Sequence, residues 1–221
     1  MKSSLLITGA SGFVGRQLLT KLDFSKYQRI YCLCRKPEHI PYEIQNMKNI
    51  EIIEDNLLNI SMFQSIFKEL DTVIHMAAVT GKANPKEYFK VNTYGTLLLL
   101  DRCKEAGVNN FLFVSSIAAA FENKHRYFYA LSKEQAELYV KNSGLNFTIL
   151  RPTMIMGEGS SVFEGLARLT KLPVIPIFGK GKNNVQPIHV EDVVKAIRQI
   201  EKESRYFGEI LEIGGPDIIP I

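Results

Sequence analysis

Leu5-Leu6-Ile7-Thr8-Gly9-Ala10-Ser11-Gly12-Phe13-Val14-Gly15 decides how this chain is read. A short apolar run ends in three glycines, and apolar residues then recur at helical spacing at Val14, Leu18, Leu19 and Leu22. That pattern predicts a strand, a tight turn and a helix. Glycine serves where the backbone takes positive φ or approaches another group closely. Free N–H groups and the positive end of the dipole at the mouth of such a helix favour a phosphate. The spacing G-x-x-G-x-x-G is a variant of the G-x-G-x-x-G dinucleotide fingerprint. An ordinary β–α turn can also use glycines, but the place directly after the first strand favours phosphate binding.

Working outward, strands are expected at Arg29–Cys34, Ile50–Glu54, Thr72–Met76, Phe111–Val114 and Phe147–Leu150. Helices fall between them: one capped by Ser61 and running to Leu70, one from about Pro85 to Ala106 ended by Gly107, and one from Tyr129 to Lys141 stopped near Gly144. Six strands alternating with helices predict an α/β fold with a doubly wound parallel sheet of the Rossmann type. Residues 1–151 read as a dinucleotide-binding domain. Residues 152–221 read as a small substrate lobe that also returns elements to the sheet. Within that lobe Gly157, Gly159, Pro173, Pro176, Gly179 and Gly181 break the chain into short pieces. A helix is expected over Val162–Lys171, a strand over Val185–His189, a helix over Glu191–Glu203 and a last strand over Ile210–Ile213.

The 221 residues are 46% hydrophobic and 23% charged, which suits one α/β domain with a small appended lobe. A net charge of +4 without concentrated basic patches or aromatic–basic interleaving gives no reason to expect nucleic acid as a partner. Three cysteines without paired C-x-x-C motifs predict reduced thiols in a cytosol and no metal site. Cys32 and Cys34 lie in one strand and are expected on opposite faces. The start of the chain fits no signal peptide, and no apolar segment reaches the ~18 residues of a membrane span. The expected setting is therefore the cytoplasm, with a small-molecule substrate and no membrane.

Tyr129 and Lys133 form Y-x-x-x-K, and the i,i+4 spacing places both on one helix face. A phenol titrates near ~10, too high for a base at neutral pH. A nearby ammonium favours the phenolate, which would then exchange a proton with a substrate hydroxyl while a nicotinamide exchanges hydride. Ser115 and Ser116 follow the fifth strand, where ligands of an open α/β sheet bind. A serine hydroxyl there can donate to a substrate carbonyl. The second strand of a dinucleotide fold normally ends in an acid that binds the adenosine ribose. Here Cys34 holds that place, followed by Arg35 and Lys36, and a guanidinium suits a ribose 2′-phosphate. NADP is therefore expected over NAD.

In this order the glycine loop, strand-end serine and tyrosine–lysine helix resemble an extended or atypical short-chain dehydrogenase/reductase of the NAD-dependent epimerase/dehydratase group. Thr8 to Gly15, with Gly9, Ser11, Gly12, Phe13, Val14 and Gly15, is similar to the TGxxGxxG cofactor loop. Asp55-Asn56-Leu57 resembles D-x-L, whose acid contacts adenine, and His75-Met76-Ala77-Ala78 resembles H-x-A-A, which lines the cofactor. Asn92 matches the helix asparagine before a G-T pair, Arg151-Pro152 matches the R-P after strand six, and His189 to Val193 matches H-V-x-D-V. The resemblance implies Tyr129 as acid/base, Lys133 as tyrosine tuner and ribose ligand, and Ser116 as the catalytic serine that orients the carbonyl. It also implies a homodimer through the 85–106 and 129–143 helices. Asp192 and His75 are read as structural, and His39 and His125 as solvated loop residues.

Two departures bear on the substrate. Only Ile117 to Phe128 separates Ser116 from Tyr129, shorter than in extended members. The chain ends at Ile221 where those members continue, so a compact member or a shortened sequence both fit. The expected activity is hydride transfer at a carbonyl or hydroxyl carbon, as an oxidoreductase, epimerase or dehydratase, on a nucleotide-sugar or a smaller carbonyl compound. The alternative is a dinucleotide-binding regulatory or assembly protein of the same fold without turnover.

Overall fold

The computed structural model describes residues 3–171 and 184–220. The chain runs β1 (Ser3–Thr8), α1 (Phe13–Lys21), β2 (Tyr27–Cys34), α2 (Tyr42–Gln45) and β3 (Ile50–Glu54). Then come a 3-10 stretch (Leu57–Glu69), β4 (Thr72–His75), α3 (Pro85–Tyr88), a π-helical turn (Phe89–Tyr94) and α4 (Gly95–Ala106). β5 (Asn110–Val114), α5 (Phe128–Lys141), β6 (Asn146–Pro152), β7 (Met154–Met156) and α6 (Ser161–Leu169) follow. β8 (Asn184–Val185), β9 (Pro187–His189), α7 (Val190–Ile200), β10 (Ile210–Ile213) and β11 (Ile219–Pro220) complete the described chain.

Seven strands form one parallel sheet in the order β10-β6-β5-β4-β1-β2-β3. The strand order reverses between β1 and β4, and a ligand crevice opens outside the carboxyl ends at such a switch point. β1 is a continuous apolar run because both its faces are covered. Leu5 and Ile7 pack with Leu18 and Leu19 of α1 and with Val193, Val194 and Ile197 of α7. Leu6 packs on the other face with Leu99, Leu100 and Cys103 of α4 and with Ala136 and Val140 of α5. The doubly wound architecture follows from these two cores.

Several local expectations change. Cys32 and Cys34 share one face and one core, while Tyr31 and Leu33 occupy the other. Residues two apart on a strand point the same way. The helix expected from Ser61 is instead the 3-10 stretch, capped by Asn56 Oδ1 on Leu58 N at 2.9 Å and broken at Asn59 and Phe63. Leu57, Ile60, Phe63 and Ile66 are buried at a spacing of three, which matches the three-residue turn of a 3-10 helix. The long helix from Pro85 is continuous in path but passes through the π-helical turn around Asn92. Gly107 closes α4 at φ 71°.

In the last third of the chain, the strand expected over Val185–His189 splits at Gln186. Val185 pairs with Ile219, and Pro187–His189 pairs with β7. Gln186 Nε2 instead donates to Gly215 O at 2.7 Å. β7 and β11, of three and two residues, carry too little periodicity to be seen in the sequence. β10 extends the sheet beside β6. Pro173, Pro176, Gly179 and Gly181 lie outside the described residues.

Candidate active site

The glycine loop leaves β1 at the switch point. Gly9 sits at φ 72°, and a Cβ there would lie 2.8 Å from Ala77 N. A Cβ on Gly15 would lie 2.7 Å from Ala10 O, so the loop and the first turn of α1 close together only with glycine. Gly12 differs, because only Gly9 O, at 3.1 Å, faces its missing side chain. No side chain caps α1 and no acid stands in its first turn, so its leading N–H groups keep their affinity for an anion.

Beside the loop, Cys34 ends β2 and is buried, while Arg35 and Lys36 are exposed. Asp55 N donates to Cys34 O at 3.0 Å, which brings Asp55 to the same edge. Asp55 Oδ1 accepts from Asn56 N at 2.7 Å and from Asn59 Nδ2 at 2.8 Å, so the carboxylate also organises its own turn. The Leu57 side chain belongs to the core. Met76, Ala77 and Ala78 lie half-buried at the end of β4, and Pro152 is buried at the end of β6. Asn92 spends its amide internally: Oδ1 accepts from Val79 N at 2.7 Å, and Nδ2 donates to Val79 O and to Ser132 Oγ.

Ser116, Tyr129 and Lys133 come together at the carboxyl ends of β5 and β6. Ser116 caps the turn after β5, its Oγ accepting from Ala118 N at 3.2 Å. Burial pushes the Tyr129 phenol up to about 12, and the neighbouring Ser116 hydroxyl opposes that shift. The Tyr129 ring lies against Tyr88 and Tyr127, with centroids 6.0 and 6.1 Å away. Lys133 is buried, donates from Nζ to Val114 O at 2.9 Å, and lies 4.1 Å over the Phe113 ring. Burial pulls its ammonium down to about 7, against the Glu137 carboxylate. The sequence anticipates an ammonium that lowers the phenol. In the folded chain the burial of each group sets its shift, because each charged form has left water, and Lys133 is not among the groups acting on the phenol.

Three features fit a polar ligand at this edge. Ser115 Oγ and Thr153 Oγ1 are buried and have no hydrogen-bond partner among the described residues. Lys133 Nζ has three donors, and its hydrogen bond to Val114 O occupies one. An unmet buried polar group costs about 1–3 kcal/mol, so a ligand that supplies partners gains that much. Together with the uncapped N-terminus of α1, these groups fit a nicotinamide dinucleotide lying from the glycine loop toward Lys133.

Sequence reasoning missed Ser115 and Thr153 as buried hydroxyls, and also the partner of Arg151. Arg151 Nε and Nη2 make a two-bond pair with buried Glu137 at 2.9 and 2.6 Å, and Nη1 reaches Glu212 on β10 at 2.9 Å. The available signal was Glu137 standing four residues after Lys133 on the same helix face. His75 is fully buried and hydrogen-bonded to Thr8 and Thr96. Asp192 lies in the first turn of α7 and pairs with Lys195 at 2.8 Å. His39 and His125 are exposed.

The state of Lys133 gives a measurable pH dependence. Its pKa falls from 10.5 in the unfolded chain to about 7 in the fold. Between those values the unfolded chain binds more protons, so stability rises with pH across this window. The limiting slope is ~1.4 kcal/mol per pH unit. Urea denaturation at pH 7 to 9 is expected to show that rise in the wild-type chain and a flatter profile in Lys133→Met. Equal slopes in the two chains would mean that Lys133 is not the group responsible.

The comparisons agree with this geometry. The profile of the NAD dependent epimerase/dehydratase family matches residues 5–214. An uncharacterized UDP-glucose epimerase of Bacillus subtilis is 24% identical over 96% of this chain and 77% of its own length. A ceramide reductase of Caulobacter vibrioides is 29% identical over 84% of this chain, which spans 57% of that relative. The UDP-glucuronic acid 4-epimerase of Bacillus cereus, solved with UDP-glucuronic acid and NAD, superposes with a TM-score of 0.83 at 21% identity, over 99% of this chain and 79% of that one. No helix among the described residues is long and apolar enough to cross a membrane. With a glycine loop at the switch point and a match that runs from the first strand to the last strand of the sheet, the chain belongs to the NAD dependent epimerase/dehydratase family.

Proposed function

We propose that this chain binds NADP and catalyses hydride transfer at a carbonyl or hydroxyl carbon, with Tyr129 as the proton-exchanging group. The supporting observation is the placement of Ser116 directly after β5 and of Tyr129 and buried Lys133 on α5, with Lys133 Nζ donating to Val114 O at 2.9 Å at the carboxyl end of β5. The bound dinucleotide supplies the hydride donor or acceptor. Tyr129, protonated at neutral pH, gives its phenol proton to a substrate carbonyl oxygen and becomes the phenolate, and in the reverse direction the phenolate takes the proton of the hydroxyl. The Ser116 hydroxyl donates to the same oxygen and holds it against Tyr129. Lys133, with donors to spare, would hold the ribose hydroxyls, from the same helix face that carries Tyr129. The buried walls exclude water, so these dipoles act in a medium where they count for more.

A nucleotide-sugar is the substrate class we favour, in keeping with the epimerases the chain resembles. A second reading, reduction of an apolar carbonyl compound, is favoured by the aromatic mouth. Phe121 and Tyr127 are each 44% exposed, with their rings tilted against each other at 6.4 Å between centroids, and Tyr127 also lies against Tyr129. Following reduced nicotinamide absorbance against a panel of UDP-sugars, aldehydes and long-chain ketones separates the two classes. Binding of the dinucleotide with no turnover across the panel would support the non-catalytic alternative. Tyr94 and Leu138 are exposed on the helices expected to pair two copies, which supports a homodimer.

The cofactor preference rests on Arg35 and Lys36 at the end of β2. Calorimetric titration is expected to show tighter NADP than NAD binding. Arg35→Ala is expected to lose ~10-fold or more of NADP affinity, the worth of one charge-assisted contact to the 2′-phosphate, with NAD affinity nearly unchanged. Tighter NAD binding in the wild-type chain, or unchanged NADP affinity in Arg35→Ala, rejects the preference.

A further inference from the structure

We propose that His75, as the neutral tautomer protonated on Nε2, is a positioning residue that fixes the glycine loop relative to the Tyr129–Lys133 helix. The inference rests on the dinucleotide reading above and extends it to a residue that touches no ligand.

The proton positions follow from counting donors. Thr96 Oγ1 donates its single proton to Asn92 O at 2.6 Å. Toward His75 Nε2, 2.9 Å away, Thr96 can therefore only accept, and Nε2 carries the proton. Burial, with the Lys133 ammonium as the charged group acting on it, pulls the imidazole down to about 3 and keeps it neutral. Nδ1 is then an acceptor, and Thr8 Oγ1, at 2.7 Å, donates to it. That leaves both Thr8 lone pairs for the N–H groups of Met76 and Ala77, at 3.2 and 3.1 Å. Each threonine hydroxyl both gives and receives, and Met76 N is shared between Thr8 Oγ1 and Thr8 O, each at 3.2 Å.

The two ends of this chain are the two halves of the site. Thr8 directly precedes Gly9, and Ala77 N lies where a Cβ on Gly9 would clash. At the other end, Asn92 lies in the π-helical turn, and its side chain holds Val79 and Ser132, the neighbour of Lys133. Ser132 Oγ in turn donates to Tyr129 O at 2.7 Å, and Thr93 Oγ1 donates to Ser132 O at 2.9 Å. His75 stacks on Phe113, at 5.3 Å between centroids, the same ring that lies under Lys133. An apolar side chain of similar size would fill this space, but it would not bridge two hydroxyls in a fixed direction. π-helical turns concentrate at functional sites, and here the bridge ends on one.

Two measurements test the proposal on the full chain. Long-range 1H–15N correlation at pH 7 is expected to show His75 neutral and protonated on Nε2, and a proton on Nδ1 or an imidazolium overturns it. Calorimetry with NAD and NADP compares the wild type with Thr96→Val, which keeps shape and removes the acceptor, and with Thr96→Ser, which restores it. Thr96→Val is expected to bind the preferred dinucleotide ~10-fold more weakly, about one hydrogen bond, with Thr96→Ser within ~3-fold of wild type. Equal affinity in wild type and Thr96→Val overturns the role of His75 alone. Failure of the wild-type chain to bind either dinucleotide overturns the reading of the site and the positioning role with it. Should Thr96→Val not fold, a Thr96→Ser chain that binds like wild type, taken with the tautomer, supports the proposal, and the wrong tautomer still rejects it.

Discussion

Tyr129→Phe is expected to lower turnover by ~10²–10⁴-fold, the usual contribution of a positioned acid/base group. The change removes one oxygen from a ring packed against Tyr88 and Tyr127, so the aromatic contacts and the fold are retained. Dinucleotide affinity should stay close to wild type if, as proposed, the phenol serves the substrate oxygen. Lys133→Ala is expected to behave differently. It removes the buried cation over Phe113 and the donors offered to the ribose, so it should weaken dinucleotide binding as well as turnover. Steady-state rates on a competent substrate, paired with calorimetric titration, distinguish the two effects. Near-full activity in Tyr129→Phe would falsify the assignment of Tyr129 as acid/base.

The second large effect concerns stability. Arg151→Leu is expected to cost about 3–5 kcal/mol, because it leaves the Glu137 carboxylate buried without its two-bond partner. Glu137 is 1% exposed, so water cannot replace the guanidinium. The pair draws Arg151 further toward its charged form, with Glu137 the main cause and Glu212 a lesser one. The double variant Glu137→Leu/Arg151→Leu should recover most of the loss, since apolar residues of similar volume substitute for buried ion pairs at little cost. Urea denaturation of the two single variants and the double variant reads this directly. A loss under 1 kcal/mol in Arg151→Leu, or a double variant as unstable as the worse single one, argues against an uncompensated charge as the cause.

The two predictions draw on information of different kinds. Tyr129, Lys133 and Ser116 are legible as residue types at fixed spacings, because a helix of 3.6 residues per turn brings i and i+4 together wherever it lies. The partners of Arg151 are not legible in that way. Glu137 and Glu212 lie on α5 and β10, and they reach Arg151 only because α5 packs against β6 and the parallel register of β6 and β10 sets Glu212 beside Arg151. The same holds for Ser115 and Thr153. Ser115 is marked only by its place at the end of the fifth strand and Thr153 by nothing, and that each hydroxyl lacks a partner shows only once the fold has buried it.

Local periodicity failed where elements are short or pattern lengths overlap. The buried positions Leu57, Ile60, Phe63 and Ile66 repeat every three residues, yet Phe63, Ile66, Phe67 and Leu70 also fit an α-helix, and packing decided for the 3-10 form. β7 and β9 are three residues each and become strands by pairing with each other.

By itself the sequence determined the alternation of apolar strands and helices, the glycines that let the loop close, and the spacing of the tyrosine and lysine. Each of these is dictated by steric and helical geometry within a few residues. Only the tertiary structure decided how protons and charges are held. Burial raises Tyr129, depresses Lys133 and keeps His75 neutral, and strand order determines which buried groups meet. Desolvation and long-range contact belong to the whole fold, because the free energy of a charge depends on everything that displaces water from around it.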